Sequence, residues 1–116
     1  MKIAILGYGK MGKEIEKVSL EKGHEITLKA DKNFSGKIPK GIDVAINFCT
    51  PETAYENIRL ALNNKIPVVS GTTGWLSNYL KVIELSKKNQ TSFLYSANFS
   101  LGVNLFFELN NKLTEI

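Results

Sequence analysis

The segment AILGYGKMGKEIEKV, from Ala4 to Val18, joins an apolar run to a helical pattern through three glycines. Gly7, Gly9 and Gly12 give the spacing G-x-G-x-x-G between a predicted strand and a predicted helix. In that context the first glycine permits a tight turn, the second lets a pyrophosphate approach the backbone, and the third lets helix and strand pack closely. The helix N-terminus would then hold the phosphates. The alternative is a tight corner with no ligand.

Short apolar segments alternate with helical ones outward from this turn. Strands are predicted at 2–6, 24–30, 42–48, 66–70 and 91–96. Helices are predicted at 10–22, from an N-cap at Thr50, from an N-cap at Ser77, and from Ser100 with Val103, Phe106, Leu109 and Leu113 on one face. This alternation is typical of βαβ units. It predicts the α/β class and a Rossmann-like, doubly wound parallel sheet of about five strands.

The connection between the second and third strands fixes the predicted strand order. Residues 31–41 are polar, with Gly36, Pro39 and Gly41, and are read as a loop. Parallel neighbours usually need a longer crossover with a helix, so the third strand is expected beside the first, on its other side. The predicted order is therefore 2-1-3-4-5. Its switch point lies between strands one and three, where open α/β sheets bind ligands.

Three small polar loops follow strands at the carboxyl edge of this sheet. They are NFCTP at 47–51, SGTTGW at 70–75 and SANFSLGVN at 96–104, and together they are expected to line one crevice. Asp31 lies nineteen residues after Gly12 and can accept hydrogen bonds from ribose hydroxyls. Lys32 could meet a 2′-phosphate, so the pair suggests tolerance of both NAD and NADP. The other interpretation of Asp31 and Lys32 is a solvated turn.

Composition narrows the class of protein. The chain has 116 residues, of which 43% are hydrophobic and 22% are charged, and its net charge is +4. These values are those of an ordinary globular domain. The lysines form no stripe with interleaved aromatics, which argues against nucleic acid. No apolar run suits a membrane span or a signal peptide, so a cytoplasmic protein is expected. Cys49 has no histidine near it in sequence, and no metal-ligand cluster is visible.

The loops carry a family resemblance. The glycine turn with Lys10 and Met11, the segment NFCTPE at 47–52, GTTGW at 71–75 and SANFSLGVN at 96–104 resemble dihydrodipicolinate reductase, also called 4-hydroxy-tetrahydrodipicolinate reductase. The resemblance spans essentially the whole chain and implies NAD(P)H as cofactor. The cofactor-binding residues it implies, together with those read from the motifs, are Gly7, Tyr8, Gly9, Lys10, Met11, Gly12, Asp31, Lys32, Phe48, Gly71, Thr72, Thr73, Ser96, Ala97, Asn98 and Phe99.

The resemblance also implies how the chain divides. Residues 1–99 would be the dinucleotide-binding domain, and 100–116 the start of a helix leading to a substrate domain that this chain lacks. In the family that domain carries a His-His-x-x-Lys motif, and no histidine follows Ser100 here. The implied activity is reduction of 4-hydroxy-tetrahydrodipicolinate to tetrahydrodipicolinate in lysine and diaminopimelate biosynthesis. The chain alone is expected to be inactive, with no catalytic residue, and not to form the family's homotetramer. The alternative is a stand-alone regulatory or redox-sensing nucleotide-binding module.

Overall fold

A computed structural model describes residues 1–72 and 75–95. The elements in chain order are β1 (Lys2–Leu6), α1 (Lys10–Glu21), β2 (Glu25–Ala30), β3 (Val44–Asn47), α2 (Pro51–Asn63), β4 (Val68–Ser70), a 3₁₀ turn (Leu76–Asn78), α3 (Tyr79–Lys88) and β5 (Phe93–Tyr95). The five strands form one parallel sheet in the order β2-β1-β3-β4-β5. The predicted fold class and strand order are confirmed.

The sheet separates two apolar layers, because successive strand residues point to opposite faces. On one face, Ala4, Leu6 and Val68 pack with Ile58 of α2 and Val82 of α3. On the other face, the alternate strand residues pack with α1, and they are Ile3, Ile5, Val44, Ile46 and Val69. Helices therefore cover both faces of the sheet, and the loops at its carboxyl edge are left to form a site.

Two helix starts differ from their predictions. Thr50 does occupy the N-cap position of α2, with Pro51 first in the helix, but its side chain makes no cap bond. Its hydroxyl lies 3.0 Å from the Thr53 hydroxyl instead. The predicted cap at Ser77 is wrong. Ser77 lies inside the 3₁₀ turn, which the Asn78 N–H closes on the Trp75 carbonyl at 2.9 Å, and Asn78 precedes α3.

Strand boundaries are also narrower than predicted. The second to fourth strands lose one to three residues at their ends, and the fifth begins two residues later than predicted. The strand prediction followed apolar runs, whereas strand bounds follow the hydrogen-bonded pairing of neighbours. The helix predicted from Ser100 lies outside the described residues. Within 1–72 and 75–95, no helix combines the length and apolar character needed to cross a bilayer.

Candidate functional site

The three glycines of the first turn have separate structural roles. Gly7 has φ +99°, and a Cβ there would overlap the Phe48 carbonyl oxygen and come within 2.7 Å of the Cys49 Cα. A Cβ on Gly12 would overlap the Gly7 carbonyl oxygen and lie 3.3 Å from Ile5 Cγ2. Both glycines are therefore required by close backbone packing, as their spacing predicted.

Gly9 differs from the other two glycines of the turn. A Cβ added there would meet no atom within 4 Å. Gly9 is the N-cap residue of α1 and brings no side chain to the first N–H groups of the helix. Those groups carry the positive end of the helix dipole, which favours a bound anion. The turn thus combines a tightly packed base with open space at the helix N-terminus.

A cleft of about 230 Å³ lies beside this turn. Its lining comes from the start of α1, from the loop after β3 and from the end of β4, and consists of Met11, Phe48, Cys49, Pro51, Gly71 and Thr72. Four of these six residues belong to the predicted cofactor set. The predicted meeting of the carboxyl-edge loops is therefore observed for the first two loops. The third loop, from Ser96, lies outside the described residues, as does Thr73.

The aromatic ring of Phe48 forms a wall of the cleft. A Cβ on Gly71 would overlap the far edge of that ring. Gly71 therefore leaves the space that the ring occupies, and its N–H donates to the Asn47 carbonyl at 3.0 Å. The two loops are in direct contact, so the position of Phe48 depends on a small residue 23 positions further along the chain.

Buried hydrogen bonds tie the same two loops together beneath the cleft. Asn47 and Ser70 end neighbouring strands and are fully buried, and the Asn47 amide donates to the Ser70 hydroxyl at 3.1 Å. The Thr72 hydroxyl accepts from the Cys49 N–H at 3.0 Å and can donate to the Cys49 carbonyl at 3.2 Å. Asn47 and Ser70 belong to loops that were expected to line the crevice, but neither was in the predicted cofactor-binding set, and the bond between them was not predicted. A polar residue at the end of an apolar strand was the available signal.

Cys49 takes part in this network through its thiol. Its thiol donates to the Asn47 side-chain oxygen at 3.0 Å. Its side chain is half-buried. Among the described residues, no group of three or more His, Cys, Asp or Glu side chains is placed to hold a metal ion.

A Thr72→Val substitution tests this network. Thr72 is only 6% exposed, so valine keeps the shape but leaves the Cys49 N–H without its acceptor. We expect the free energy of unfolding to fall by about 1–3 kcal/mol, the usual cost of a buried donor left unpaired. Chemical denaturation measures it. Thr27→Val on β2 is the control, since that hydroxyl makes only an exposed 3.5 Å bond, and should change stability little. Equal losses in both variants would contradict the network's role.

Trp75 anchors the far end of the β4 loop. Its side chain is 2% exposed, its Nε1–H donates to the Thr72 carbonyl at 2.6 Å, and its ring meets Phe93 and Tyr95 edge-on at 5.5 and 5.4 Å between centroids. Trp75 therefore belongs to the apolar core. Thr72 lines the cleft, so the Trp75 indole directly contacts a residue of the cleft wall.

Asp31 and Lys32 lie at the end of β2, and both are exposed. Asp31 Oδ1 accepts the Asn33 N–H at 2.8 Å, and its carbonyl accepts the Phe34 N–H at 3.0 Å. These bonds form the turn that was the alternative interpretation. The carboxylate is nevertheless exposed, and the residue before it is joined to the glycine turn, since the Gly7 N–H donates to the Ala30 carbonyl at 2.8 Å. The structure thus places Asp31 next to the glycine turn. Its position is compatible both with binding of a ribose and with a solvated turn.

Tyr8, in the glycine turn, is held by charged side chains. Its hydroxyl donates to Glu16 of α1, whose other carboxylate oxygen lies 3.1 Å from the ammonium of Lys29 on β2. The hydrogen bond to Glu16 raises the pKa of Tyr8. The bonds from Tyr8 and Lys29 lower the pKa of Glu16, and the bond to Glu16 raises the pKa of Lys29. The sequence predicted a role for Tyr8 but not its contact with Glu16 or the ion pair of Glu16 with Lys29.

The strand order 2-1-3-4-5, the glycine turn and the cleft at the switch point define a Rossmann-like α/β domain of the dehydrogenase type. A family model described as "Dihydrodipicolinate reductase, N-terminus" matches residues 1–99, and the chain belongs to that family.

Named relatives agree with this assignment. The 4-hydroxy-tetrahydrodipicolinate reductase of Christiangramia forsetii is 50% identical over 115 residues, which are 97% of this chain and 48% of that protein. The chain spans about half the length of the curated relatives it matches.

Solved structures share the fold. A dipicolinate-bound dihydrodipicolinate reductase from Paenisporosarcina sp. TG-14 has a TM-score of 0.69 and 24% identity, covering 90% of this chain and 50% of that one. A mutant of a hyperthermophilic archaeal homoserine dehydrogenase in complex with NADPH has a TM-score of 0.60 and 18% identity, covering 81% of this chain and 43% of that one. At these identities the likeness concerns the fold alone.

Proposed function

We propose that the chain binds NAD(P)H along its carboxyl edge as the cofactor domain of a 4-hydroxy-tetrahydrodipicolinate reductase. The observation that carries the proposal is Gly9, which opens onto empty space at the N-terminus of α1 between two glycines locked in backbone contacts. A structural corner requires the two locked glycines, but at the open N-cap position Ser, Asp or Asn would cap α1 better than glycine. A pyrophosphate against the helix N-terminus explains why no side chain stands there.

The remaining contacts follow from the positions of the described residues. The turn from Gly7 to Gly12, with Tyr8, Lys10 and Met11, would hold the pyrophosphate. Asp31 would accept from the adenosine ribose, with Lys32 beside it for a 2′-phosphate. The cleft formed by Met11, Phe48, Gly71 and Thr72 would take the nicotinamide side. Thr73, Ser96, Ala97, Asn98 and Phe99 complete the proposed set on the strength of the family resemblance.

The wider activity is proposed from the relatives. When bound, the reduced nicotinamide supplies a hydride, which the family delivers to 4-hydroxy-tetrahydrodipicolinate with loss of water. The domain's part is to bind and orient the cofactor. Residues 1–99 form this domain, and 100–116 begin the connection to a substrate domain. The product serves lysine and diaminopimelate biosynthesis, a cytoplasmic pathway.

The chemistry of the substrate lies outside these 116 residues. His24 is their only histidine and lies just before β2, away from the carboxyl edge. In the family, a histidine and a lysine of the missing motif supply the proton and grip the substrate carboxylates. We therefore expect no reductase turnover from this chain alone and no family homotetramer. A measured turnover would contradict the division of roles, while leaving cofactor binding to be judged separately.

Trp75 provides the direct test of cofactor binding. It is the only tryptophan of the chain and is bonded to the Thr72 carbonyl at the cleft. Titration with NADH and with NADPH is expected to quench its emission saturably, with energy transfer to the reduced nicotinamide. NAD⁺, which cannot accept that energy, is the control for an indirect effect. No saturable change with either reduced nucleotide would contradict the proposed function.

A further inference from the structure

An ion pair stands beside the place where the adenosine end of a dinucleotide would lie. Glu16 of α1 takes the Tyr8 hydroxyl on one oxygen and holds the Lys29 ammonium at 3.1 Å on the other. The Lys29 ammonium also lies 5.2 Å from the centre of the Tyr8 ring, and that of Lys13 lies 5.9 Å from it. A glutamate thus neutralises a lysine next to the glycine turn.

Lys29 lies on the ribose side of the proposed site. It is the last residue but one of β2 and precedes Asp31 by two residues. The end of β2 is joined to the glycine turn by the bond from the Gly7 N–H to the Ala30 carbonyl. In dinucleotide-binding folds the acid after the second strand receives the ribose 2′-hydroxyl, and a nearby base accommodates a 2′-phosphate.

The ion pair changes what Lys29 can offer a phosphate. An exposed lysine beside the ribose would attract the two negative charges that distinguish NADPH from NADH. Glu16 holds that ammonium and adds a negative charge 3.1 Å from it. The lysine side chain is 46% exposed and the glutamate side chain 21% exposed, so the glutamate is the more enclosed partner and defines where the ammonium lies.

We propose that Glu16 is a specificity-determining residue, which holds and neutralises Lys29 and so disfavours a nucleotide 2′-phosphate relative to a 2′-hydroxyl. The proposal rests on the proposed function, since it concerns the adenosine end of the same site. It adds to the Asp31 and Lys32 pair a residue on α1, which contacts Lys29 of β2 and Tyr8 of the glycine turn. Glu16 acts through Lys29 rather than by contact with the nucleotide.

The test is the ratio of the NADPH and NADH dissociation constants, measured by Trp75 fluorescence for the wild type and for Glu16→Gln. Glutamine keeps an acceptor for the Tyr8 hydroxyl and removes the charge. The ratio of the NADPH dissociation constant to that of NADH is expected to fall about five- to tenfold, because the released Lys29 charge favours the 2′-phosphate. This is the effect expected of one exposed charge on a nearby dianion. Glu14→Gln is the matched control, because Glu14 is exposed on the same helix. It should leave the ratio unchanged.

Lys29→Gln completes the test. When Glu16→Gln is added to Lys29→Gln, the ratio of the NADPH and NADH dissociation constants should not change further, because Lys29, through which Glu16 acts, is no longer present. A shift that persists without Lys29, or equal weakening of NADH and NADPH by Glu16→Gln, would overturn the proposal and leave Glu16 as a structural clamp on Tyr8. Failure of the wild type to bind either nucleotide would instead refute the proposed function.

Discussion

A Gly9→Asp variant is expected to lose about a hundredfold or more in affinity for NADH and NADPH, as a carboxylate placed within a few ångströms of the pyrophosphate repels it. The fold should tolerate the change. Gly9 has φ −94° and ψ −152°, an extended conformation open to any residue, and its Cβ position is empty. Aspartate is moreover a favoured N-cap residue, so α1 gains a cap.

The variant therefore separates binding from stability. Trp75 fluorescence should show no saturable response to either nucleotide, while the unfolding temperature equals or exceeds that of the wild type. Gly9→Ala is the control, since it adds a methyl group without charge and should weaken binding less than aspartate does. Full affinity in Gly9→Asp would place the pyrophosphate somewhere other than the first turn. If Gly9→Asp folds normally but loses affinity for the nucleotides, the glycine turn cannot be only a structural corner without a ligand.

The sequence predicted those parts of the molecule that depend on local pattern. The glycine turn of Gly7 and Gly12 was predicted with its reasons, because each reason follows from a spacing of a few residues. The strand order followed from the short polar connection at 31–41, which leaves no room for a crossover helix. Asp31 follows β2 directly, as its spacing predicted, and its contact with a ribose stays a prediction.

The parts that were missed depend on contacts between residues far apart in sequence. The overlap that forbids a side chain on Gly71 comes from Phe48, and the bonds of Thr72 reach Cys49, 23 residues away. The strand order predicts that these loops share one edge of the sheet, but neither periodicity nor composition records which of their atoms touch. The wrong cap at Ser77 has the same origin. Trp75 packs edge-on against Phe93 and Tyr95, 18 and 20 residues further along the chain, and the Asn78 N–H closes a 3₁₀ turn on the Trp75 carbonyl before α3 begins.

A Gly7→Ala variant is expected to lose about 3–5 kcal/mol of folding free energy, since it combines a left-handed backbone with an overlap that neither partner can relieve. Gly7 has φ +99°, and the atom its Cβ would overlap is the Phe48 carbonyl oxygen. The adjoining Phe48 N–H donates to the Leu6 carbonyl at 2.9 Å, so this backbone is fixed in place by the sheet.

Gly23→Ala separates the cost of the left-handed backbone from the cost of the steric overlap. Gly23 has φ +85° but open space at its Cβ, so alanine there carries the conformational cost of about 1–2 kcal/mol without the overlap. Chemical denaturation of both variants, with circular dichroism to detect a chain that fails to fold, gives the difference. Equal losses would show that the glycine turn does not pack against the loop after β3. A larger loss at Gly7 measures the contact between β1 and β3 at the switch point, which sets the distance from the phosphate turn to the cleft.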